Sequence, residues 1–211
     1  MAARAVFFID GNNWYHAMKD AGVLDPGRLD YSRICNKLLV GRHWIATRYY
    51  IGQVVQQGET ALYTQQRRFV AALRAADPRI SIHFGRLEKR AVADPTAREL
   101  KHYLNNLPAK IDSGIYRDLF AIASRAGRAT TWVEKAVDVK LAVDMVVMAE
   151  RDEFDAAYLL SADGDFTPAV EAVMSHGKSV FAACPAHGAQ LAAAVTSFIR
   201  LKREWFIDCY Q

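Results

Sequence analysis

Residues 156–166 read AAYLLSADGDF, an unbroken apolar run that ends in an acidic loop. A short apolar run bounded by turn residues is typical of a strand that is buried on both faces of a parallel sheet. Residues 5–13, AVFFIDGNN, show the same pattern near the start of the chain. The two stretches together predict an α/β protein whose central sheet is mainly parallel.

Helical and strand patterns alternate along most of the remaining chain. Asn12 or Asn13 is expected to cap the helix after the first strand, and Gly177 to end the helix that starts at Thr167 and Pro168. Further strands are predicted at residues 44–55, 80–84, 179–183 and 198–201, and further helices at 31–39, 62–76, 138–151 and 188–195. Because strands alternate with helices, we expect a three-layer α/β/α sandwich.

A basic segment at residues 86–135 interrupts this alternation. Residues 85–137 contain ten Lys or Arg and six Asp or Glu, so they account for the whole net charge of +4. We interpret 86–135 as a mainly helical insertion within a single domain that spans 1–211. Two interpretations of its charge remain open, a solvated helical excursion and a surface that faces phosphate groups.

The composition excludes several classes of protein. With 211 residues, 52% of them hydrophobic and 24% charged, the chain has the composition of a globular protein and not of a disordered one. The apolar run at the start is too short for a signal peptide. Residues 179–199 lack charged side chains, but Pro185 and Gly188 favour a strand, a loop and a small helix over a membrane span.

The three cysteines form no CxxC pair, which favours reduced and buried thiols in a cytosolic protein. We therefore expect a cytoplasmic protein without a membrane partner. The composition leaves the oligomeric state open, and a homodimer is among the alternatives.

Four carboxylates are expected to meet at one edge of the sheet. Asp10 follows the first buried strand, and Asp163 and Asp165 follow the strand at 156–160. Ligands of such sheets bind at the carboxyl ends of the strands. Asp138 opens the helix that leads into the second of these strands, so antiparallel packing returns it to the same edge. Asp144 lies six residues further on and faces about 120° away from Asp138, which makes it a poorer direct ligand.

Such a cluster needs something to offset its repulsion, because two unit charges 4 Å apart repel by roughly 4 kcal/mol at an effective dielectric of 20. A shared proton, an arginine or a divalent cation would each serve. Oxygen ligands suit Mg²⁺ or Mn²⁺, and the six histidines lack the spacing of a zinc site. A metal held in this way suits phosphodiester cleavage. The alternative is that each carboxylate is structural, as a turn residue, a helix-terminal charge or a cap.

Each polar or aromatic residue close to these carboxylates in the sequence has two possible roles. Asn13 is a candidate to position Asp10 or a metal-bound water, and Ser161 either bonds a carboxylate or is a satisfied strand-end hydroxyl. Lys135 and Lys140 flank Asp138 and either meet phosphate or form a solvated helix end. The rings of three further residues either stack on bases or belong to the core: Trp14, Tyr15 and Trp132.

Three ordered motifs carry a family resemblance: FFIDGNNWY at 7–15, KAVDVKLAVDM at 135–145 and YLLSADGDFTPAVEAVMSHGKSV at 158–180. Together they resemble the NYN domain of the PIN-like nuclease superfamily, in particular its bacterial LabA/DUF88-type branch, over residues 4–201. The resemblance implies a Rossmann-like fold with a central parallel sheet. It also implies a ribonuclease that depends on Mg²⁺ or Mn²⁺ and acts on RNA.

The resemblance also assigns roles to individual residues. It places the catalytic and metal-binding carboxylates at Asp10, Asp138, Asp163 and Asp165, with Asn13 and Asp144 in support. Ser161 is a further supporting candidate from its place at the strand end alone. Ala136 and Ala162 stand where glycine is usual, and neither change removes a carboxylate. Basic residues of the insertion are expected to hold RNA, and the candidates for substrate binding are Lys135, Lys140, Arg86, Lys89 and Arg90.

Two other functions remain open at this point. A non-catalytic module that binds RNA or regulates would keep the pocket and bind RNA without needing a metal. A phosphatase of the haloacid-dehalogenase type also carries an aspartate after its first strand. That chemistry uses a second aspartate two residues later, where this chain has Asn12, which argues against it.

Overall fold

The computed structural model describes residues 2–54, 60–91, 94–108, 110–126 and 130–210. The chain divides into two compact units. The first comprises Met1–Arg86 and Lys135–Gln211, and the second comprises Leu87–Glu134. The boundaries of the second unit lie one residue inside those of the predicted insertion at 86–135.

The strands and helices follow the predicted alternation. The strands are β1 (Arg4–Asp10), β2 (His43–Gln53), β3 (Ile80–Ala91), β4 (Thr130–Lys135), β5 (Ala156–Leu160), β6 (Ser179–Cys184) and β7 (Ser197–Arg200). The helices are α1 (Gly11–Asp20), α2 (Tyr31–Leu38), α3 (Thr60–Ala76), α4 (Pro95–Asn105), α5 (Ser113–Ala126), α6 (Val137–Glu150), α7 (Thr167–Ser175) and α8 (Ala189–Ala194). Short 3-10 helices lie at Pro26–Arg28, Gly164–Phe166 and Arg203–Cys209.

Within the described residues, the strands form one sheet in the order β4-β3-β2-β1-β5-β6-β7. Five neighbouring pairs are parallel: β3 with β2, β2 with β1, β1 with β5, β5 with β6, and β6 with β7. The two strands that end in acidic loops are direct neighbours, with Phe7 opposite Tyr158 and Ile9 opposite Leu160. The prediction of a three-layer α/β/α sandwich on a mainly parallel sheet is confirmed.

Side chains of β1 alternate between two buried layers. Phe7 and Ile9 belong to the core that includes apolar residues of α1 and α2. Val6 and Phe8 belong to the core that includes apolar residues of α6, α7 and α8. Because strand residues alternate with a period of two, Asp10 continues the row of Val6 and Phe8 toward the layer of α6.

The start of α1 differs from the expectation. The cap is Asp10, whose carboxylate accepts a hydrogen bond from the backbone N–H of Asn13, so neither Asn12 nor Asn13 is the N-cap. The helix begins at Gly11, where an added Cβ would lie 2.5 Å from Tyr49 Cε1 and 2.6 Å from the Tyr50 carbonyl oxygen. Only glycine fits this close approach, which lets the helix start directly after the strand.

The segment at 179–199 forms β6, α8 and the start of β7, as predicted. Across the described residues, no helix combines the length and the apolarity that crossing a membrane requires. Cys35, Cys184 and Cys209 are buried and unpaired, which confirms the prediction of buried free thiols.

In the second unit, α4 and α5 pack against each other. Asp94 caps α4 by accepting from the backbone N–H of Ala97 at 3.2 Å. The Tyr116 hydroxyl of α5 donates to Asn105 Oδ1 at 3.0 Å. The second unit also contains the end of β3 and most of β4, two strand segments that the prediction of a mainly helical insertion did not include.

Candidate active site

The site lies where the carboxyl ends of β1 and β5 stand side by side. The chain continues from β1 to β2 on one side, while β5 flanks β1 on the other. A strand whose neighbours lie in opposite directions along the sheet marks a topological switch point, and ligands of such sheets bind in the crevice outside it. Asp10 ends β1 and Ser161 follows β5, so both residues border this crevice.

Asp10 is a buried carboxylate, with only 3% of its surface exposed. Ser161 Oγ donates to Asp10 Oδ2 at 3.2 Å, and the backbone N–H of Asn13 donates to Asp10 Oδ1 at 3.3 Å. Burial raises the pKa of Asp10 to about 6, and the charges of Asp138 and Asp163 act in the same direction. These two hydrogen bonds lower the pKa but do not outweigh the burial.

Asn13 and Ser161 connect the two strand ends. Asn13 Oδ1 accepts from the backbone N–H of Ala162 at 3.1 Å, and Ser161 Oγ accepts from the backbone N–H of Asp163 at 3.1 Å. The Asn13 side chain therefore holds the first turn of α1 to the loop after β5. The Ser161 side chain holds the same loop to Asp10, the cap of α1. The sequence proposed both residues as supports of the site, and their contacts fit that role.

Asp163 and Asp165 lie in the 3-10 turn that follows β5. Asp163 Oδ1 accepts from the backbone N–H of Asp165 at 3.0 Å, so Asp163 is also the cap of this turn. Gly164 between them packs closely, since an added Cβ would lie 2.6 Å from Gln190 Oε1. The turn is thereby fixed against α8, and it keeps both carboxylates at the crevice.

Asp138 lies in the first turn of α6. Burial raises its pKa, and Asp163 and Asp165 raise it further. Ala136, the N-cap of α6 two residues before Asp138, adopts a left-handed conformation with φ of 65°. That conformation costs a non-glycine residue roughly 1–2 kcal/mol, which explains why glycine is usual at this position of the family pattern.

Asp10, Asp138, Asp163 and Asp165 are called the acidic cluster below. The charged groups that shift the pKa of Asp10 and of Asp138 are other members of the cluster. Its donor atoms are all oxygens, which suits Mg²⁺ or Mn²⁺. Among the described residues, no three Asp, Glu, His or Cys side chains are already placed to share one ion. The donor chemistry fits a hard cation, and the side chains must draw together to enclose it.

Asp144 has partners of its own on the sheet. The Arg48 guanidinium donates to Asp144 Oδ2 at 2.8 Å, and the Tyr50 hydroxyl donates to the same oxygen at 2.8 Å. Arg48 Nε also donates to the Tyr50 hydroxyl at 2.9 Å, and the Tyr50 ring stacks on His83 at 4.9 Å between centroids. No local sequence signal predicts this network, because Tyr50 and Arg48 lie 94 and 96 positions before Asp144.

We expect Asp144→Asn to lower the free energy of unfolding by about 1–2 kcal/mol. The Arg48 and Asp144 side chains are 25% and 24% exposed. We therefore expect the cost of breaking their ion pair to lie between the costs for a surface pair and a buried pair. Urea unfolding measures the loss, and Asp208→Asn, which removes an exposed partner of Lys37, is the control. Loss of RNA cleavage without loss of stability would instead place Asp144 in the site.

The proposed basic contacts belong to different elements and units of the chain. Lys140 is exposed on α6, and Arg86 is exposed opposite Gln53 near the carboxyl end of β2. Lys135 ends β4 and is partly buried. Lys89 and Arg90 fall on β3, in the second unit, and their side chains lie outside the described part of the chain.

The three aromatic candidates differ in their surroundings. Trp14 is fully buried and packs against Phe206 at 6.0 Å between ring centroids, so the suggestion that it stacks on a base is wrong. Tyr15 is 41% exposed. The Trp132 side chain lies outside the described residues.

The fold and the site together define a Rossmann-like α/β/α protein with a carboxylate cluster at its topological switch point. The chain belongs to the NYN domain family, whose pattern matches residues 4–202, and this family is part of the PIN-like nuclease superfamily. The finer assignment to the LabA/DUF88-type branch stays a prediction.

A structural neighbour supports the fold. The chain is similar to a protein of unknown function, VPA0982 from Vibrio parahaemolyticus RIMD 2210633, with a TM-score of 0.55 and 16% sequence identity. The match covers 94% of this chain and 92% of the other. A search of curated proteins gives no match. At this identity the likeness concerns the fold alone.

Proposed function

We propose that the protein is an endoribonuclease that uses Mg²⁺ or Mn²⁺ to cleave RNA phosphodiester bonds. The acidic cluster carries this proposal. The charges of its other members raise the pKa of Asp10 and of Asp138. The cluster lies at the switch point of the sheet, in a chain that belongs to a family of the PIN-like nuclease superfamily. A cation bound between the carboxylates would attract each of them and so offset their mutual repulsion.

Asp10, Asp138, Asp163 and Asp165 are the residues proposed to hold the metal. When bound, a divalent cation supplies a polarised phosphate, a hydroxide at neutral pH and a stabilised leaving oxygen. Ser161 and the backbone N–H of Asn13 orient the Asp10 carboxylate by donating to both of its oxygens. The chain thus supplies a fixed carboxylate on β1, while Asp138 and Asp165 are exposed and can rotate.

Basic residues are proposed to bind the RNA backbone. Lys135, Lys140 and Arg86 belong to the first unit near its acidic edge, and the second unit lies within the stretch that carries the net charge of +4. Lysine and arginine neutralise phosphates and release counterions, so RNA binding should weaken steeply with salt. The same proposal places the protein in the cytoplasm, where its three thiols remain reduced.

The experiment uses a circular RNA, because only an endonuclease can open it. We expect wild type with Mn²⁺ or Mg²⁺ to linearise and then fragment the circle, and EDTA to stop the reaction. Asp163→Asn should be inactive, whereas Asp208→Asn, far from the cluster in an exposed ion pair with Lys37, should cleave like wild type.

Two results would contradict the proposal. Cleavage that persists in EDTA or in Asp163→Asn would exclude the acidic cluster as the catalytic centre. Salt-sensitive RNA binding without cleavage under any metal condition would identify a non-catalytic RNA-binding module.

A further inference from the structure

A cavity of about 510 Å³ lies in the first unit, in the layer of α1 and α3 on one face of the sheet. One wall includes Gly11, which directly follows Asp10, and another includes Ile51 and Val54 at the carboxyl end of β2. Parallel strands end at a common edge of the sheet, so the cavity opens at the same edge as the carboxylates. Its volume falls within the range of small-ligand sites, about 300–1,000 Å³.

Aromatic rings line much of this cavity. Tyr31 and Tyr49 are buried with ring centroids 5.3 Å apart, and the Phe69 ring lies 5.5 Å from that of Tyr49. Tyr15 lines the cavity but remains 41% exposed, so part of its ring faces solvent. It lies four residues after Gly11, about 6 Å along the axis of α1. A flat ring entering the cavity could therefore stack on Tyr15 close to Asp10.

The wall formed by α3 is held in place by Gln66. Its Oε1 accepts from the backbone N–H of Val54 at 2.9 Å, and its Nε2 donates to the Gly52 carbonyl oxygen at 2.7 Å. Both groups of this amide are thus used to attach α3 to the end of β2. The wall formed by α3 is therefore braced against the end of β2.

The exposed polar groups of the cavity suit a base and its phosphates, whereas its buried tyrosine hydroxyls partner each other. The hydroxyls of Tyr31 and Tyr49 lie 3.5 Å apart, and burial raises the pKa of Tyr31 to about 12, so this hydroxyl keeps its proton at neutral pH. Gln65 contributes an exposed amide. Arg28 and Arg68 are both exposed lining residues and outnumber the single acidic one, Asp25.

We propose that this cavity, called the base cavity, binds one unstacked nucleobase of single-stranded RNA at the sheet edge where β1 ends in Asp10. The inference rests on the proposed function, because it names the class of RNA that the site accepts. Recognition of an RNA base by stacking on aromatic rings requires a base that is splayed out of a helix. The base cavity therefore selects unpaired RNA over duplex RNA.

The test is the affinity of a fluorescent 12-nucleotide RNA, measured by anisotropy in EDTA so that no metal-dependent cleavage occurs. We expect Tyr15→Ala to weaken binding by roughly 5- to 150-fold, the range found for base–aromatic stacking, and Arg68→Ala to weaken it as well. Arg151→Ala is the matched control, because Arg151 is exposed at the opposite end of α6, and it should stay within about twofold of wild type.

Two further ligands separate base binding from backbone binding. Annealing the RNA to its complement should weaken binding to wild type and leave Tyr15→Ala little changed. A 12-nucleotide strand without bases should bind equally to wild type and to Tyr15→Ala. An unchanged affinity of Tyr15→Ala for the single strand, or an equal loss for the strand without bases, would overturn the inference. Dimerisation that Tyr15→Ala abolishes would assign the cavity to a second copy instead.

The inference and the proposed function can fail separately. Single-strand binding that depends on Tyr15, in a protein that opens no circular RNA, would remove the nuclease proposal and keep the base cavity. Metal-dependent cleavage by a Tyr15→Ala variant whose affinity for single-stranded RNA is unchanged would keep the nuclease proposal and remove the base cavity.

Discussion

Replacing Asp10 by asparagine is expected to lower metal-dependent RNA cleavage by roughly a thousandfold. That factor corresponds to about 4 kcal/mol of transition-state stabilisation, the order expected when a catalytic metal is no longer held correctly. Asparagine keeps the size of the side chain and can still accept from the backbone N–H of Asn13, because asparagine is a good N-cap. The loss should therefore occur in a folded protein.

Single-turnover cleavage with Mn²⁺ in excess measures this effect, with far-UV circular dichroism as the check on folding. The matched control is Asp152→Asn, since Asp152 is an exposed carboxylate paired with Arg4 and Lys178. Cleavage by Asp10→Asn within tenfold of wild type would contradict the proposed role of Asp10.

The second large effect concerns stability without metal. The pKa of Asp10 is about 6 in the folded protein against a usual 3.8, so the folded state holds this proton more tightly than the unfolded state. Stability from this group is fully present below pH 4 and is lost as the pH rises through 6. At 1.36 kcal/mol per pKa unit, the loss approaches about 3 kcal/mol. Asp10→Asn should recover up to that amount at pH 7.5 and almost nothing at pH 4.

Urea unfolding in EDTA at several pH values gives the difference between Asp10→Asn and wild type. The difference is the useful quantity, because burial also lowers the pKa of His83 to about 4. His83 therefore adds an opposite slope, with stability lost as the pH falls below 6.5, and this slope is common to both proteins.

Asp155→Asn is the control of opposite sign. Hydrogen bonds from Arg4 hold the pKa of Asp155 near 2, so this replacement should destabilise the protein at neutral pH. If Asp10→Asn also destabilises the metal-free protein at pH 7.5, Asp10 is a structural residue.

β1 and β5 were predictable from the sequence because a strand buried on both faces is apolar throughout. β5 lies at the predicted residues 156–160, and β1 spans the apolar run that begins at Ala5 with one residue added before it and Asp10 after it. β4 was not predicted. The prediction of β3 stopped at residue 84, whereas the strand continues to Ala91. Its second half lies in the second unit and carries charged residues, so hydropathy gave no signal for it.

The members of the acidic cluster were predictable because parallel strands bring their carboxyl ends to one edge. Their side-chain placement was not, since it depends on contacts such as Ser161 to Asp10 that join residues 151 positions apart. Tertiary contacts also decided the partners of Asp144. The base cavity gave no local signal, because its walls come from α1, α3, the end of β2 and the turn at Pro26–Arg28.

The most direct measurement is anomalous diffraction from crystals grown with Mn²⁺. We expect a strong peak in the crevice between β1 and β5, with oxygens of Asp10 and Asp138 and of Asp163 or Asp165 at bonding distance. Full occupancy of the crevice by water, with these carboxylates turned away from one another at saturating Mn²⁺, would contradict the account.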